Sequence, residues 1–312
     1  MDFVQHVLAQ ETVMTSAKAS GLLRRISSLF VRRASAGRVV TAQILGLGPL
    51  DYFLHLDGDV WISDVIARGE VFDAHILKIM RALVAEGDTF IDVGANIGWF
   101  SVIGSRLVGA GGRVLSFEPS PQNMALAEKS VARNGCRNVT LFRAALGSEK
   151  RQARLFLSGD NQGDHRLAGS PLGRDFLEVD VIPLDDVLER LVPLDDHGAV
   201  FAKIDTQGSE TAVLSGMRGL LGSGRTVRLA LEFWPQGLES CGSSAPALLA
   251  ELARERWTVW LIHPGGELEP SSLERLHELV RTDYGLSTGL FTDVLLLAED
   301  DDDARRAVGA LA

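Results

Sequence analysis

The stretch TFIDVGANIGWFS, residues 89–101, decides the fold predicted for this chain of 312 residues. Its first five residues, TFIDV at 89–93, have the length and the apolar content of a short buried strand. Gly94 and Gly98 then allow a sharp turn and a close backbone approach, because neither carries a Cβ atom. Apolar residues at helical spacing follow from Phe100 onward. A strand, a glycine turn and a helix in this order are typical of one crossover unit of a parallel sheet.

The same alternation of apolar runs and helical patterns continues on both sides of this stretch. A helical pattern precedes it at 73–85, and another helix is predicted at 121–134. The further predicted strands are RVLSFE (113–118), VTLFR (139–143), AVFAKID (199–205), VRLALEF (227–233), WTVWLI (257–262) and DVLLLA (293–298). Strands separated by helical patterns favour right-handed crossovers and a mostly parallel sheet with helices on both faces. The sequence therefore predicts a doubly wound, Rossmann-like α/β fold.

Composition and charge exclude several classes of protein. Hydrophobic residues make up 46% and charged residues 23% of the chain, as in soluble globular proteins and unlike disordered or fibrous ones. The net charge of −10 argues against a nucleic-acid partner, because nucleic acids select basic surfaces. The two cysteines, Cys136 and Cys241, form no CxxC pair and predict no zinc site. No apolar run is long enough to span a bilayer and no secretory signal is seen, so we expect a cytoplasmic protein.

The residues at the strand ends indicate a cofactor. In doubly wound sheets, ligands bind beyond the carboxyl ends of the strands. Glu118 ends the strand next to the glycine loop, where an acidic side chain accepts hydrogen bonds from the two hydroxyls of a ribose. The loop lacks the G-x-G-x-x-G pattern that binds a pyrophosphate, and Asp92 before it would repel phosphate and suit an ammonium group. These features favour S-adenosylmethionine over NAD. A turn that binds no ligand stays open as the alternative.

Five motifs follow one another along the chain, the first of them within the opening stretch. They are IDVGANIGWFS (91–101), FEPSPQNMALAEKSVARN (117–134), AALGSEK (144–150), GDHRL (163–167) and KIDTQGSETAVLSGM (203–217). Together they resemble the FkbM family of S-adenosylmethionine-dependent methyltransferases. The resemblance covers roughly residues 66–298 and includes a similar lead-in, RGEVFD at 68–73. It implies the class I methyltransferase sheet, with seven strands and the last one antiparallel. The final pair of strands would then be 257–262 and 291–298. The resemblance also implies methylation of hydroxyls on sugars or polyketide-type natural products.

Two positions depart from the pattern of that family. Gln207 stands where its members typically have Glu, and Trp99 stands where they have Tyr or Phe. The exchange at Gln207 removes one negative charge from its loop, so we expect no metal ion there.

The residues predicted to bind the cofactor follow the first four main strands. They are Asp92, Gly94, Ala95, Asn96, Gly98, Glu118, Pro119, Ser120, Ala144, Ala145 and Asp205. Ala144 and Ala145 are small enough to leave room for an adenine ring, in agreement with the family resemblance. Two interpretations of Asn96 stay open, a hydrogen bond to the carboxylate of the donor and a left-handed turn.

Methyl transfer to a hydroxyl needs a general base within hydrogen-bond reach of that hydroxyl. The candidates for this role are His165, Asp164, Asp205 and Glu232. His165 lies in the polar segment 158–175, which is predicted to close over the pocket as a lid. Structural alternatives stay open for each candidate. Asp205 is also suited to cap the following helix, Glu232 to support the turn that follows its strand, and His165 to stand in solvent.

The chain is predicted to have three parts, namely an N-terminal helical or mixed extension (1–65), a methyltransferase domain (66–298) and an acidic C-terminal tail (299–312). Within the extension, LLRRISSLFVRR (22–33) is predicted to form a basic amphipathic helix. Such a helix packs on the main domain or contacts a membrane surface or a partner. The acidic run EDDDD (299–303) is expected to be solvated. A homodimer is left open.

Two other functions are weighed against methyl transfer. An NAD-type oxidoreductase on the same sheet would need the G-x-G-x-x-G pattern, which the chain lacks. A non-catalytic adapter that binds S-adenosylmethionine would not need ionisable groups at so many strand ends. The sequence therefore favours a methyltransferase that acts on a small-molecule or glycan acceptor.

Overall fold

The computed structural model describes residues 38–311 except 45, 57–58, 60, 159–160, 168–174, 192–197 and 285–288. The basic stretch 22–33, predicted to be an amphipathic helix that contacts a membrane or a partner, lies outside the described residues. Within the described residues, no helix has the length and apolar character needed to cross a membrane.

Strands and helices alternate through most of the described chain. The strands are β1 (Arg38–Ile44), β2 (Gly48–Leu54), β3 (Thr89–Val93), β4 (Arg113–Phe117), β5 (Val139–Phe142), β6 (Ala145–Leu146), β7 (Arg151–Phe156), β8 (Phe176–Ile182), β9 (Val200–Ile204), β10 (Val227–Phe233), β11 (Trp257–Ile262), β12 (Leu268–Ser271) and β13 (Thr292–Ala298). The helices are α1 (Ile62–Ala67), α2 (Ala74–Leu83), α3 (Trp99–Val108), α4 (Pro121–Arg133), α5 (Leu184–Leu191), α6 (Glu210–Ser215), α7 (Arg218–Leu221), α8 (Pro235–Ser240), α9 (Ala245–Leu252), α10 (Leu273–Thr282) and α11 (Asp302–Gly309).

The main sheet has eight strands in the order β12-β11-β13-β10-β9-β3-β4-β5. The five strands from β10 to β5 are parallel to one another, whereas β13 runs antiparallel to both β10 and β11. A hydrophobic layer covers each face of this sheet. The predicted mostly parallel α/β sheet is therefore confirmed. It has one strand more than the seven implied by the resemblance, because a turn after β11 folds β12 back along the sheet edge.

The described part of the N-terminal extension, which was predicted to be helical or mixed, is mainly a β-hairpin. β1 pairs antiparallel with β2, and every second side chain is buried from Ala42 to Leu54 along both strands. Such alternation of buried and exposed side chains is typical of a strand that has one face packed against the protein and the other in solvent. The Tyr52 hydroxyl, fully buried, donates to the Trp99 carbonyl at 3.2 Å, and Phe53 N–H donates to Ser130 Oγ at 3.0 Å. The hairpin is thus fixed to helices α3 and α4 of the main domain.

The acidic C-terminal run is only partly solvated, in contrast to the expectation for 299–303. Asp301 is buried and accepts a hydrogen bond from Arg228 Nε at 2.6 Å, whereas its four acidic neighbours are exposed. Asp301 also caps helix α11 by accepting from Ala304 N–H at 3.1 Å. Arg228 lies within the mainly apolar strand β10, and its largely buried guanidinium needs a partner of opposite charge. That requirement explains why one acidic residue of the run turns inward.

A second, three-stranded sheet stands beside the carboxyl edge of the main sheet, and the sequence patterns did not predict it. Its order is β6-β8-β7, with β7 antiparallel and β6 parallel to β8. β6 follows β5 after two residues, so the small sheet begins directly beside the end of β5. The connection from β7 to β8 contains the polar segment predicted as a lid, and Phe156 pairs with Arg166 within it. This segment is therefore anchored at its base by a hairpin.

The glycine loop after β3 is held between the ends of two neighbouring strands. The N–H groups of Gly94 and Ala95 both donate to the Phe117 carbonyl, at 3.0 Å each. On the other side, a Cβ atom built on Gly94 would lie 2.0 Å from the backbone oxygen of Asp205. Gly94 also has φ +81°, a conformation that side chains strongly disfavour. Only glycine fits between β4 and the end of β9 at this position.

We expect Gly94→Ala to destabilise the fold much more than the same change at Gly135, which has φ +65° and open space around its Cβ position. Gly135→Ala meets only the strain of the left-handed backbone, about 1–2 kcal/mol. Gly94→Ala must in addition displace a backbone carbonyl, so we expect a loss of at least about 3 kcal/mol. Urea unfolding of both variants measures the difference. Equal losses would show that the contact with Asp205 does not constrain the loop.

Candidate active site

A cleft of about 800 Å³, measured to its open mouth, lies beyond the carboxyl ends of β3, β4 and β9. The lining residues that the sequence predicted for the cofactor are Gly94, Ala95, Asn96, Glu118, Pro119, Ala145 and Asp205. Four residues predicted for the same purpose do not line it, namely Asp92, Gly98, Ser120 and Ala144.

Structural surroundings explain the positions of three of these residues. Gly98 turns the chain into α3 with φ +81°, and a Cβ there would lie 3.2 Å from Ala127. Ser120 is the N-cap of α4 and accepts from Asn123 N–H. Ala144 is buried beside the start of the small sheet. Their fixed places shape the cleft although their side chains do not face it.

Glu118 occupies the position predicted for a ribose-binding carboxylate. Its side chain is buried, with Oε2 accepting from Asn96 N–H at 2.9 Å and Oε1 accepting from Ser120 N–H at 2.8 Å. Burial raises the pKa of Glu118 to about 7, against the opposing effect of these N–H donors. The Asn123 side chain is a third hydrogen-bond partner of the Glu118 carboxylate. Because a carboxylate has about four lone-pair sites, it retains the capacity to accept one more hydrogen bond.

Asn96 adopts a left-handed conformation, with φ +48°, and its amide connects the glycine loop to the lid segment. Asn96 Nδ2 donates to the Gln162 carbonyl at 3.2 Å, and Asn123 Nδ2 donates to the same oxygen at 3.1 Å. A carbonyl oxygen only accepts, so the Asn96 atom that faces it must be the NH₂ group. Its Oδ1 is buried and has no hydrogen-bond partner among the described residues. Of the two interpretations left open for Asn96, the left-handed turn is observed. The unbonded atom, Oδ1, is a hydrogen-bond acceptor and therefore suits an ammonium group rather than a carboxylate.

Asp92 lies beneath the cleft instead of on its wall, which corrects the expectation that it faces a ligand directly. It is 1% exposed, and its Oδ2 accepts from the Ser101 hydroxyl at 2.6 Å. Its neighbour across the β3–β9 pairing is Lys203. Burial raises the pKa of Asp92, and the charge of Lys203 opposes that rise. Because every residue of β3 is buried, the sequence pattern could not tell which face of the strand the side chain takes.

Lys203 is a wall residue of the cleft to which the sequence analysis gave no role. Its Nζ donates to Asp205 Oδ2 at 3.1 Å and lies 5.2 Å from the centre of the Phe100 ring. Burial lowers the pKa of Lys203, but Asp205, Asp92 and Asp73 together outweigh burial and raise that pKa above its ordinary value. Lys203 therefore carries its charge inside the protein. The available sequence signal was one lysine in the otherwise apolar run AVFAKI.

The four candidate bases divide into two that line the cleft and two that lie behind them. Asp205 and His165 line it. Asp164 is ion-paired with Arg166 at 2.6 Å within the lid segment. Glu232 is buried and accepts from Gln207 Nε2 at 3.1 and 3.2 Å. Burial and the nearby Asp205 raise the pKa of Glu232 well above its ordinary value, so Glu232 holds a proton more readily than an exposed glutamate does.

Gln207 connects the two carboxyl groups at this end of the cleft. Its Nε2 donates to Asp205 Oδ1 at 2.7 Å as well as to Glu232. Gln207 has φ +57°, a left-handed conformation that places its side chain between the ends of β9 and β10. Among the described residues, no group of three or more His, Cys, Asp or Glu side chains is arranged to hold a metal ion.

The hydrogen bonding of His165 does not suit the role of general base that the sequence suggested. The N–H of Ser158 donates to His165 Nδ1 at 3.1 Å. This bond occupies the Nδ1 lone pair, so the neutral ring carries its proton on Nε2. A neutral His165 held in this way has no lone pair left with which to take a proton from an acceptor.

The described part of the lid segment is held on two sides. The Gln162 carbonyl is bound by the side chains of Asn96 and Asn123, at the cofactor side. Arg166 places its guanidinium 4.5 Å from the centre of the Trp234 ring, on the side of strand β10. The described part of the segment therefore contributes Gln162, Gly163, His165 and Leu167 to the lining of the cleft and is bound on two sides.

The chain is similar to known methyltransferases by sequence and by fold. A profile of the methyltransferase FkbM domain matches residues 92–251, just over half of the chain. No curated protein matches the chain. Solved structures with a similar fold include an S-adenosylmethionine-dependent methyltransferase from Aquifex aeolicus, which is 14% identical with a TM-score of 0.38. The alignment spans 72% of this chain and 88% of the Aquifex chain. They also include an S-adenosylmethionine-dependent O-methyltransferase from Thermotoga maritima, which is 15% identical with a TM-score of 0.38. The alignment spans 84% of this chain and 78% of the Thermotoga chain.

An rRNA methylase from Streptococcus thermophilus is also similar, at 12% identity and with a TM-score of 0.40. The alignment spans 73% of this chain and 98% of the Streptococcus chain. The assignment to a family depends on the match to the FkbM domain. That match contains the glycine loop, Glu118, the lid segment, Lys203, Asp205 and Glu232. The chain belongs to the FkbM methyltransferases, and its methyl donor is S-adenosylmethionine.

Proposed function

We propose that this methyltransferase transfers the methyl group of S-adenosylmethionine to a hydroxyl oxygen of a sugar or natural-product acceptor. The observation that carries the proposal is the Asp205 carboxylate, which lines the cleft between Lys203 and Gln207. A hydroxyl is oriented for attack when it donates its hydrogen to such a fixed carboxylate. The family assignment supports methyl transfer, and the family resemblance supports oxygen as the atom that is methylated.

The residues of the cofactor side fit S-adenosylmethionine. Glu118 retains acceptor capacity for a ribose hydroxyl, and Asn96 Oδ1 is a buried acceptor without a partner in the described chain. Phe117, Ala145 and Leu146 give an apolar wall next to Glu118, as an adenine ring requires. When bound, the donor supplies a methyl group already activated on a sulfonium. The residues of the chain therefore have to bind and align the reactants and to accept a proton.

The acceptor side of the cleft combines aromatic and polar walls. Phe72 and Phe100 line it together with Asp205, Gln207 and Lys203. Apolar C–H faces and hydroxyl edges alternate on sugars and on polyketide-type molecules, so such walls match their chemistry. The net charge of −10 favours a small-molecule acceptor over a nucleic acid.

We expect the affinity for S-adenosylhomocysteine to depend on the ionisation of Glu118. Burial places the pKa of Glu118 at about 7, so the acceptor form predominates above pH 7 and is lost below it. Calorimetry should therefore show affinity falling by up to about tenfold from pH 8 to pH 6. Glu118→Gln should bind weakly with no such dependence, whereas Glu128→Gln, on the exposed face of α4, should behave as wild type. A wild-type affinity that rises toward pH 6 would contradict the role given to Glu118.

A screen of glycosides and polyols with deuterated-methyl S-adenosylmethionine tests the reaction itself. We expect a product with one added methyl group on oxygen, located by fragmentation in the mass spectrometer. Asp205→Asn, which keeps the shape of the side chain, should lower kcat about 10–100-fold because the hydroxyl loses its anionic partner. The exposed change Asp303→Asn should leave kcat unaltered. Methylation only of nitrogen acceptors, or binding of the donor without any turnover, would refute the proposal.

A further inference from the structure

Strand β2 runs along one face of helix α4 and ends beside the cofactor side of the cleft. Phe53 N–H donates to Ser130 Oγ at 3.0 Å, and two residues further on His55 Nε2 lies 2.9 Å from Asn123 Oδ1. Asn123 and Ser130 are two turns apart, which places both on the same face of the helix. Because Asn123 belongs to the first turn of α4, the half-buried His55 reaches the helix end that faces the cleft.

The Asn123 side chain is part of the cofactor side of the cleft. It is 1% exposed and lines the cleft, and its Nδ2 donates to the Gln162 carbonyl at 3.1 Å. The same side chain is a hydrogen-bond partner of the Glu118 carboxylate. A carbonyl and an ionised carboxylate only accept, so the NH₂ group of Asn123 must face both of them. One amide group thus connects the lid segment to the carboxylate proposed to bind the ribose.

His55 is the donor that satisfies the other end of this amide. Since the NH₂ group of Asn123 faces the two acceptors, its Oδ1 faces His55 Nε2, and that nitrogen must carry a proton. Burial lowers the pKa of His55, against the opposing effects of Asn123 and Asp59, so the neutral ring predominates at neutral pH with its proton on Nε2. The backbone of His55 is itself fixed, because its N–H donates to Ser63 Oγ at 3.1 Å.

The two ends of an asparagine amide have nearly the same shape, so hydrogen bonds decide which way the group points. With His55 as donor, one orientation satisfies both the oxygen and the NH₂ group of Asn123. Without that donor, a buried acceptor stays unsatisfied in this orientation, and the reverse orientation turns the oxygen toward two other acceptors. The orientation that holds the lid segment therefore depends on the histidine.

The lid segment also lies close to the chain that follows His55. A Cβ atom built on Gly163 would be 3.3 Å from Ile62 Cδ1 and 3.7 Å from Asn96 Nδ2. Ile62 begins helix α1 and directly precedes Ser63, the residue that accepts from the His55 N–H. The end of β2, the start of α1 and the lid segment thus meet at the cofactor side.

We propose that His55 is a positioning residue for S-adenosylmethionine, which acts by fixing the orientation of the Asn123 amide. Through this amide it holds the Gln162 carbonyl and the Glu118 carboxylate in the arrangement that receives the donor. His55 lies outside residues 92–251, so a part of the chain that the FkbM profile does not match contributes to the site. The inference depends on the methyl donor and not on which atom of the acceptor is methylated.

The test measures the affinity for S-adenosylhomocysteine by calorimetry. His55→Leu removes the donor and keeps an apolar side chain of similar size, and we expect the affinity to fall about 5–20-fold. The reason is that the arrangement of the lid segment that binds the donor becomes a minor state of the free protein. His55→Gln places an NH₂ group at a similar distance from the backbone and should stay within about twofold of wild type. His277→Leu, at an exposed histidine of α10, is the matched control and should bind as wild type.

A double-mutant cycle separates positioning through Asn123 from a general structural role of His55. Asn123→Ala removes the amide, so His55→Leu in that background should cost less than about twofold in affinity. A histidine that only supports the fold would add the same loss of affinity with and without Asn123. Additive losses, or a loss that His55→Gln does not restore, would overturn the proposal.

Hydrogen exchange of the complex with S-adenosylhomocysteine gives a second readout. Peptides that contain Gln162 should exchange faster in His55→Leu than in wild type, while peptides of β2 keep their protection. Wild-type exchange around Gln162 in His55→Leu would contradict the role of the histidine. These measurements use the demethylated donor alone, so a failure of the proposed O-methylation would leave their outcome unchanged.

Discussion

The buried ammonium group of Lys203 is the interaction on which the carboxyl edge of the sheet depends. It lies among carboxylates from three parts of the chain, namely Asp92 on β3, Asp205 after β9 and Asp73 before α2. None of these acids would remain charged at low cost in the interior without a positive partner. The lysine therefore allows the strand under the glycine loop, the acceptor wall and the lead-in to meet at one place. Its contact with the Phe100 ring adds an aromatic neighbour from α3.

The carboxyl groups near this end of the sheet differ in their surroundings. Burial raises the pKa of Glu232 well above its ordinary value and the pKa values of Glu118 and Asp73 to about 7, whereas the Asp205 carboxylate accepts hydrogen bonds from two donors. Side chains of one chemical type are thereby suited to different tasks, because burial and neighbouring charges differ at each position. The lid segment completes the site, since it is fixed to the glycine loop on one side and to Trp234 on the other.

The sequence predicted those features that local patterns encode. The strand, glycine turn and helix at 89–101, the order of the further strands and the position of Glu118 all follow from spacing within short stretches. The electrostatic interaction of Asp73 with Lys203 was not predictable, because it joins residues far apart in the chain. The direction of Asp92 was hidden by a strand buried on both faces, and the role of His165 depends on one backbone N–H that no pattern reveals. The inward turn of Asp301 likewise depends on a distant partner, Arg228.

The most direct test of this account is the stability of Lys203→Met, measured by urea unfolding at pH 8 and pH 5. Removal of the ammonium leaves buried carboxylates without a counter-charge, so we expect a loss of about 3–5 kcal/mol at pH 8. The loss should be smaller at pH 5, because unpaired carboxyl groups in the folded protein have raised pKa values and are largely neutral there. Lys150→Met, at an exposed lysine, should change little at either pH. A Lys203→Met protein as stable as wild type at pH 8 would contradict the central place given to this charge.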